Sequence, residues 1–95
     1  MAPLRRIVVD VLKPYEPPLP EFARQVTDLT GVSGVNVTVI ELDEEVQNVK
    51  LTVEGEDVDF GRIEDAIDQL GASLHSIDQV ACGEYVVEER ATPQD

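Results

Sequence analysis

The sequence predicts an α+β domain: a four-stranded antiparallel sheet in the order 4-1-3-2, two helices on one of its faces, and a short extra strand at the C-terminus. Three observations predict it. Val35, Val37 and Val39, and then Val49, Leu51 and Val53, alternate with other residues on either side of the charged triplet Asp43-Glu44-Glu45, which is the mark of a β-hairpin. Two other stretches repeat apolar residues every three or four positions, which is the mark of amphipathic helices. Both of these end in glycine and lead into a β-type run, through Leu29-Thr30-Gly31-Val32-Ser33 and Leu70-Gly71-Ala72-Ser73.

Residues 5–13, RRIVVDVLK, read as the first strand. Ile7, Val9 and Val11 form one face, and Arg6, Val8, Asp10 and Leu12 the other. Apolar residues on both faces suit a central strand. Residues 14–20, PYEPPLP, are a stiff connector, because proline has no N–H to give a sheet and disfavours helix in the residue before it. Their PxxP-like spacing suits a proline-binding groove, but a rigid loop that places Pro20 in the first turn of a helix accounts for it. In residues 21–30, Phe22, Val26 and Leu29 make one buried stripe, Glu21 sits at the positive end of the helix dipole, and Gly31 stops the helix. In the hairpin, residues 34–55, Val39 opposite Val49 and Val37 opposite Leu51 bring both apolar sets to one face and centre the turn on Glu44. A slip of one residue parts them. Asp57 or Asp59 caps the second helix, Ile63, Ala66, Ile67 and Leu70 face inward, and Gly71 ends it.

Residues 74–82, LHSIDQVAC, make the last core strand. Leu74, Ile77 and Val80 fall three apart instead of two, which predicts a bulge. Residues 84–90, EYVVEER, hold the short extra strand, and 91–95 form a frayed tail. Right-handed crossovers give the sheet order 4-1-3-2, the split βαβ of the ferredoxin-like architecture. Residues 1–95 are one domain, with the core over 4–83 and the C-terminal strand and tail over 84–95.

The chain carries 20 Asp plus Glu against 7 Lys plus Arg, a net charge of −13. That balance excludes nucleic acid and anionic membranes as partners, since both need clustered cations. The hydrophobic content of 42% excludes disorder. Lys13 and Lys50 are the only lysines. An acidic, lysine-poor surface on a folded core suits a salt-rich cytoplasm, where self-repulsion is screened, and points to a salt-loving archaeal source. The single cysteine, Cys82, permits no internal disulfide and no multi-cysteine metal site; it is expected as a small buried hydrophobe. Asp10 breaks the N-terminal apolar run, so that run is no signal peptide, and no apolar stretch nears the ~20 residues that span a bilayer. A cytoplasmic location is expected.

The run VVDVLKPYEP, then GVSGVNVTVIELDEEVQNVKLTVEG, then LGASLHSIDQVACGE and a terminal ATPQD, resembles the small archaeal family known as domain of unknown function 211, with this chain as a haloarchaeal member. The likeness covers nearly the whole chain, with the elements in the family's order. The resemblance implies a ferredoxin-like fold, assembly into homo-oligomers, bound calcium and no established activity. Gln79 stands where the family pattern often has Glu, which removes one oxygen anion from any cation site there.

Asp10, Glu54 and His75 are the leading chemical constellation. Asp10, late in the first strand, is expected to approach Thr52 or Glu54 on a neighbouring strand taken as parallel to it, and His75 at the start of the fourth strand on the other side. Two carboxylates and an imidazole suit a divalent ion or acid–base work; plain pairing of Asp10 with Arg6, Lys50 or His75 is the alternative. Glu41, Asp43, Glu44 and Glu45 crowd the hairpin tip with the oxygens a hard cation wants, although EF-hand spacing is absent. The metal candidates are Asp10, Glu41, Asp43, Glu45, Glu54, His75 and Asp78, with calcium as the ion. No nucleophile triad, P-loop, GxGxxG or zinc pattern occurs, so no catalytic residue and no other cofactor is expected. The function expected is that of a non-enzymatic homo-oligomeric binding or scaffold protein. Its partner is a second copy of itself, in a ring or filament. The alternatives are an ACT-like regulatory module that binds a small molecule between subunits and an enzyme using Asp10 and His75. Assembly is expected through an uncovered sheet face bearing Val8, Leu12, Ile40 and Leu42, with Tyr85, Val86 and Val87 pairing with a neighbour's edge strand.

Overall fold

The computed structural model describes residues 1–89. The elements run β1 (Leu4–Pro14), α1 (Leu19–Thr27), β2 (Gly34–Leu42), β3 (Val46–Glu54), α2 (Phe60–Gln69) and β4 (Ser73–Cys82). The strands form one antiparallel sheet in the order β2-β3-β1-β4, the expected order read from the other edge. The fold is ferredoxin-like α+β. Ile7, Val9 and Val11 of the central β1 are at most 2% exposed and pack with Val49, Leu51 and Val53 of β3. Phe22 and Val26 of α1 and Ile63 and Ile67 of α2 close this layer from above. Each of these larger side chains gains about 1.5–3 kcal/mol from full burial. No helix among the described residues is long and apolar enough to cross a membrane.

Helix α1 begins earlier than its apolar stripe suggests. Leu19 and Pro20 open it, where the missing proline N–H has no helical acceptor to lose. It closes at Asp28, whose N–H donates to Arg24 O at 3.0 Å, so Leu29 lies in the following loop and packs on the core from there. Asp59 caps α2 by accepting from Arg62 N at 3.4 Å.

In the hairpin, Val39 faces Val49 and Val37 faces Leu51, as their alternation requires. Beyond Val39 the pairing differs. Ile40 is an extra residue, Glu41 pairs with Asn48, and Leu42 pairs with Gln47. A bulge inverts the alternation that follows it, so Leu42 joins the side of Gln47 and Lys13 and not the expected face beside Leu12. Strand β4 carries the bulge that its spacing predicts, and carries it twice. His75 and Asp78 are the extra residues, which sets Leu74, Ile77 and Val80 opposite Val11, Val9 and Ile7. A further irregularity between Leu4 and Arg6 shifts the phase at the strand's end. Cys82, expected inside, is therefore exposed, and Ala81 is buried in its stead.

The expected extra strand is not formed over residues 84–89; Arg90 and the tail lie outside the described residues. Residues 83–89 instead cross one end of the sheet as a strap. Gly83 N–H donates to Pro3 O at 2.9 Å, Arg5 donates to Gly83 O at 3.3 Å and to Glu84 O at 2.5 Å, and Glu88 reaches Arg6.

At the same end, the α1–β2 and β3–α2 loops meet backbone to backbone. Ser33 N–H donates to Glu54 O at 2.7 Å, Gly55 N–H to Arg5 O at 3.0 Å and Val58 N–H to Leu4 O at 2.8 Å. Gly31 has φ +89°, and a Cβ there would stand 2.6 Å from Asp57 O; a Cβ on Gly55 would overlap Gly31 O. Glycine alone permits this approach.

Candidate functional site

Both helices pack on one side of the sheet and leave the other side open. The antiparallel register sets its side chains in rows across the strands. Glu54 lies beside Arg6; Asn36, Thr52, Val8 and Gln79 form the next row; Thr38, Lys50, Asp10 and Ser76 the third; Glu41, Asn48 and Leu12 the fourth. Val8 and Leu12 are half-buried along the middle.

Arg6 is the hub of one end. Its side chain is 18% exposed; Nε donates to Glu54 Oε2 at 2.6 Å, both terminal nitrogens clasp the Glu88 carboxylate at 2.9 Å, and one reaches Gln79 Oε1 at 3.3 Å. The fork on Glu88 holds that carboxyl below its ordinary value. Glu88 first and Glu54 second hold the guanidinium above its own. A depressed carboxyl pKa means that the strap's attachment is complete above the ordinary carboxylate range and is lost as pH falls through the folded value. An acid titration followed by the Arg6 Nη–H resonances should therefore show strap release before global unfolding. Glu88→Gln should remove that step, and a step unchanged in this variant would contradict the assignment.

Asp10, two rows along, stands opposite Lys50 on β3 and Ser76 on β4. Asp10 Oδ1 and Asn48 Oδ1, from diagonal positions on β1 and β3, are shielded from solvent and have no hydrogen-bond partner among the described residues. Such an orphaned acceptor costs about 1–3 kcal/mol. Lys50 is exposed and joins no ion pair among the described residues. Between Arg6 and Lys50 lies a shallow basin of about 550 Å³ whose lining includes Val8, Thr52, Asn36 and Gln79.

The seven ligands proposed from the sequence fall in three places. Asp10, Glu41 and Glu54 are on the open face, but Glu54 pairs with Arg6. Because β1 and β3 run antiparallel, Lys50 stands opposite Asp10, Thr52 is only diagonal to it, and Glu54 lies two rows away beside Arg6 and not beside Asp10 as expected. His75 and Asp78 are the exposed bulge residues of β4, and Asp78 Oδ1 accepts from Ser76 Oγ at 2.8 Å. Asp43 and Glu45 make the hairpin turn, Asp43 Oδ1 accepting from Glu45 N–H at 3.2 Å. Among the described residues, no group of three His, Cys, Asp or Glu stands close enough to hold a metal ion.

Lys13 is the residue the sequence reading passed over. It continues Ile7, Val9 and Val11 at two-residue spacing, so strand parity alone aims it into the core. It is fully buried. Its Nζ donates to Pro14 O at 2.7 Å, to Gln47 Oε1 at 3.1 Å and, more distantly, to Tyr15 O at 3.5 Å, and lies 5.8 Å from the Phe22 ring centroid. Those contacts use all three ammonium donors. Burial pushes its pKa below the usual lysine value, with the charge of Glu16 opposing. Lys13 thus fastens the proline-rich connector to the hairpin, helped by the Tyr15 hydroxyl, which donates to Asp43 O at 2.5 Å. It is an anchor, enclosed by the chain's own acceptors.

The sequence profile of domain of unknown function 211, described as uncharacterized ArCR, matches residues 5–95. The chain is also 49% identical over 92 residues to an uncharacterized protein of Methanocaldococcus jannaschii, covering 97% of this chain and 95% of that one.

Proposed function

Because the chain belongs to the archaeal family of domain of unknown function 211, for which no activity is assigned, we propose a function from geometry: a non-enzymatic, cytoplasmic, homo-oligomeric binding or scaffold protein whose subunits meet through the open sheet face and take up calcium there. One observation carries this reading. Asp10 Oδ1 and Asn48 Oδ1 are shielded and have no hydrogen-bond partner among the described residues, on a face that the protein's own helices leave bare. Native structures partner nearly all such atoms, and a cation or a donor from a second subunit would serve here. Half-buried Val8 and Leu12 beside them add an apolar strip of the kind found in contacts between subunits. Calcium takes oxygen ligands of this type, and Glu41, opposite Asn48, offers a further one. The strap is engaged with its own sheet, so the contact rests on the face and not on an exchanged strand.

Native mass spectrometry with and without chelator tests both parts. The expected result is an oligomer that retains calcium and weakens in chelator, and a monomer from Val8→Lys. A wild type that is monomeric in both solutions overturns the reading. Assembly indifferent to chelator removes calcium and leaves the contact.

A further inference from the structure

We propose that the basin between Arg6 and Lys50 binds a short organic dicarboxylate, and that Glu88 of the strap is its built-in competitor. The inference rests on the open face being the functional surface, and not on the number of subunits that share it.

The directions of the hydrogen bonds point to an anion. Four side chains that line the basin each have one oxygen already engaged. Glu54 takes Arg6 Nε, Gln79 Oε1 takes an Arg6 terminal nitrogen, Asp78 takes Ser76 Oγ, and Asn36 Oδ1 takes the Thr38 hydroxyl at 2.8 Å. With their oxygens occupied, the amides of Asn36 and Gln79 have NH₂ groups left to give. Lys50 adds an ammonium with no ion pair among the described residues. Uncommitted donors thus border the basin from β2, β3 and β4, in a chain of net charge −13.

Glu88 shows how a guest carboxylate sits. Its two oxygens take the Arg6 terminal nitrogens at 2.9 Å each, the planar fork for which guanidinium is suited. Its side chain is 66% exposed, so the occupant is a solvated group on a strap and not a packed part of the core. A tethered competitor acts at an effective concentration in the millimolar range, which a free ligand with a second anchor can exceed. Lys50 supplies that anchor. It stands opposite Asp10, four residues along β1 from Arg6, or about 13 Å between backbones. Both side chains are long enough to close on a short dicarboxylate. The repulsion from the chain's net charge is confined to about 8–10 Å at physiological salt.

Succinate titrated into the full chain at constant ionic strength, followed by amide shifts and calorimetry, tests this. Saturable shifts at Arg6, Asn36, Lys50 and Gln79 are expected. Glu88→Gln should tighten binding about tenfold by removing the competitor, and Lys50→Gln should weaken it about tenfold. Both positions are exposed, so the rest of the amide spectrum confirms that each variant is folded. Equal affinity in Glu88→Gln and wild type, or in Lys50→Gln and wild type, overturns the proposal, as does the absence of saturable shifts in Glu88→Gln. Native masses of the same samples keep the two readings apart. An assembled chain that ignores succinate overturns only this one, and a monomer that binds it overturns only the subunit contact.

Discussion

Gly55→Ala is expected to destabilise the protein by about 3 kcal/mol or more, a loss of roughly 10–20 °C in melting temperature for a domain of this size. The added methyl group would overlap Gly31 O and press on Val58 Cγ2. The Gly31 atom is backbone and cannot swing aside. Gly31 cannot retreat either, because it is held at φ +89° against Asp57 O. Relief means separating the two loops, which strains the bonds from Ser33 N–H to Glu54 O and from Val58 N–H to Leu4 O. Gly34→Ala is the control. A Cβ there meets nothing within 4 Å and the residue is not at positive φ, so its effect should be within about 1 kcal/mol and of stabilising sign. Urea melts at one fixed salt concentration compare the two. A Gly55→Ala protein within about 1 kcal/mol of wild type would refute the close approach.

Lys13→Met should cost about 2–4 kcal/mol. The substitution nearly preserves volume and removes a buried charge, which by itself is favourable. Against that, Pro14 O and Gln47 Oε1 lose their close donor and Tyr15 O its distant one. Adding Gln47→Leu to Lys13→Met should recover part of the loss, because replacing both partners leaves fewer stranded acceptors. A double variant no better than the single one would contradict the assignment. A second readout has a definite sign. Burial sets the folded pKa below the unfolded one, so the unfolded state binds more protons between the two values and Lys13 makes stability rise with pH across that range. Lys13→Met should lack this rise.

Alternation and spacing made the sheet and helices legible. Val37 and Val39 admit one register with Leu51 and Val49, and the three-residue spacing of Leu74, Ile77 and Val80 announces the bulges at His75 and Asp78. The bulge at Ile40 left no such trace. Ile40 and Leu42 are both apolar, and an alternating pattern continues through them whether or not a residue is inserted. The phase shift near Arg5 misplaced Cys82 for the same reason. The site was harder to read because its bonds are not local. Glu88 lies 82 residues from Arg6, and in a chain with 20 carboxylates no periodicity selects it. Asp10 was legible in kind but not in company, since its neighbour follows from strand direction and pairing register together. Lys13 was legible from parity; its charge hid a core position.

The bulges have a consequence for solubility. An open sheet ends in two strands with unsatisfied backbone groups, which invite other chains to add on and grow fibres. Many proteins guard those margins with lysine. This chain has two lysines, Lys13 and Lys50, on the interior strands β1 and β3. Its margins, β2 and β4, carry the extra residues Ile40, His75 and Asp78 instead. Each breaks the repeat that an incoming strand has to match and sharpens the local twist, so an incoming strand finds only a few matching residues before it loses step. A chain with so few lysines to spend on its margins thus has them protected by shape.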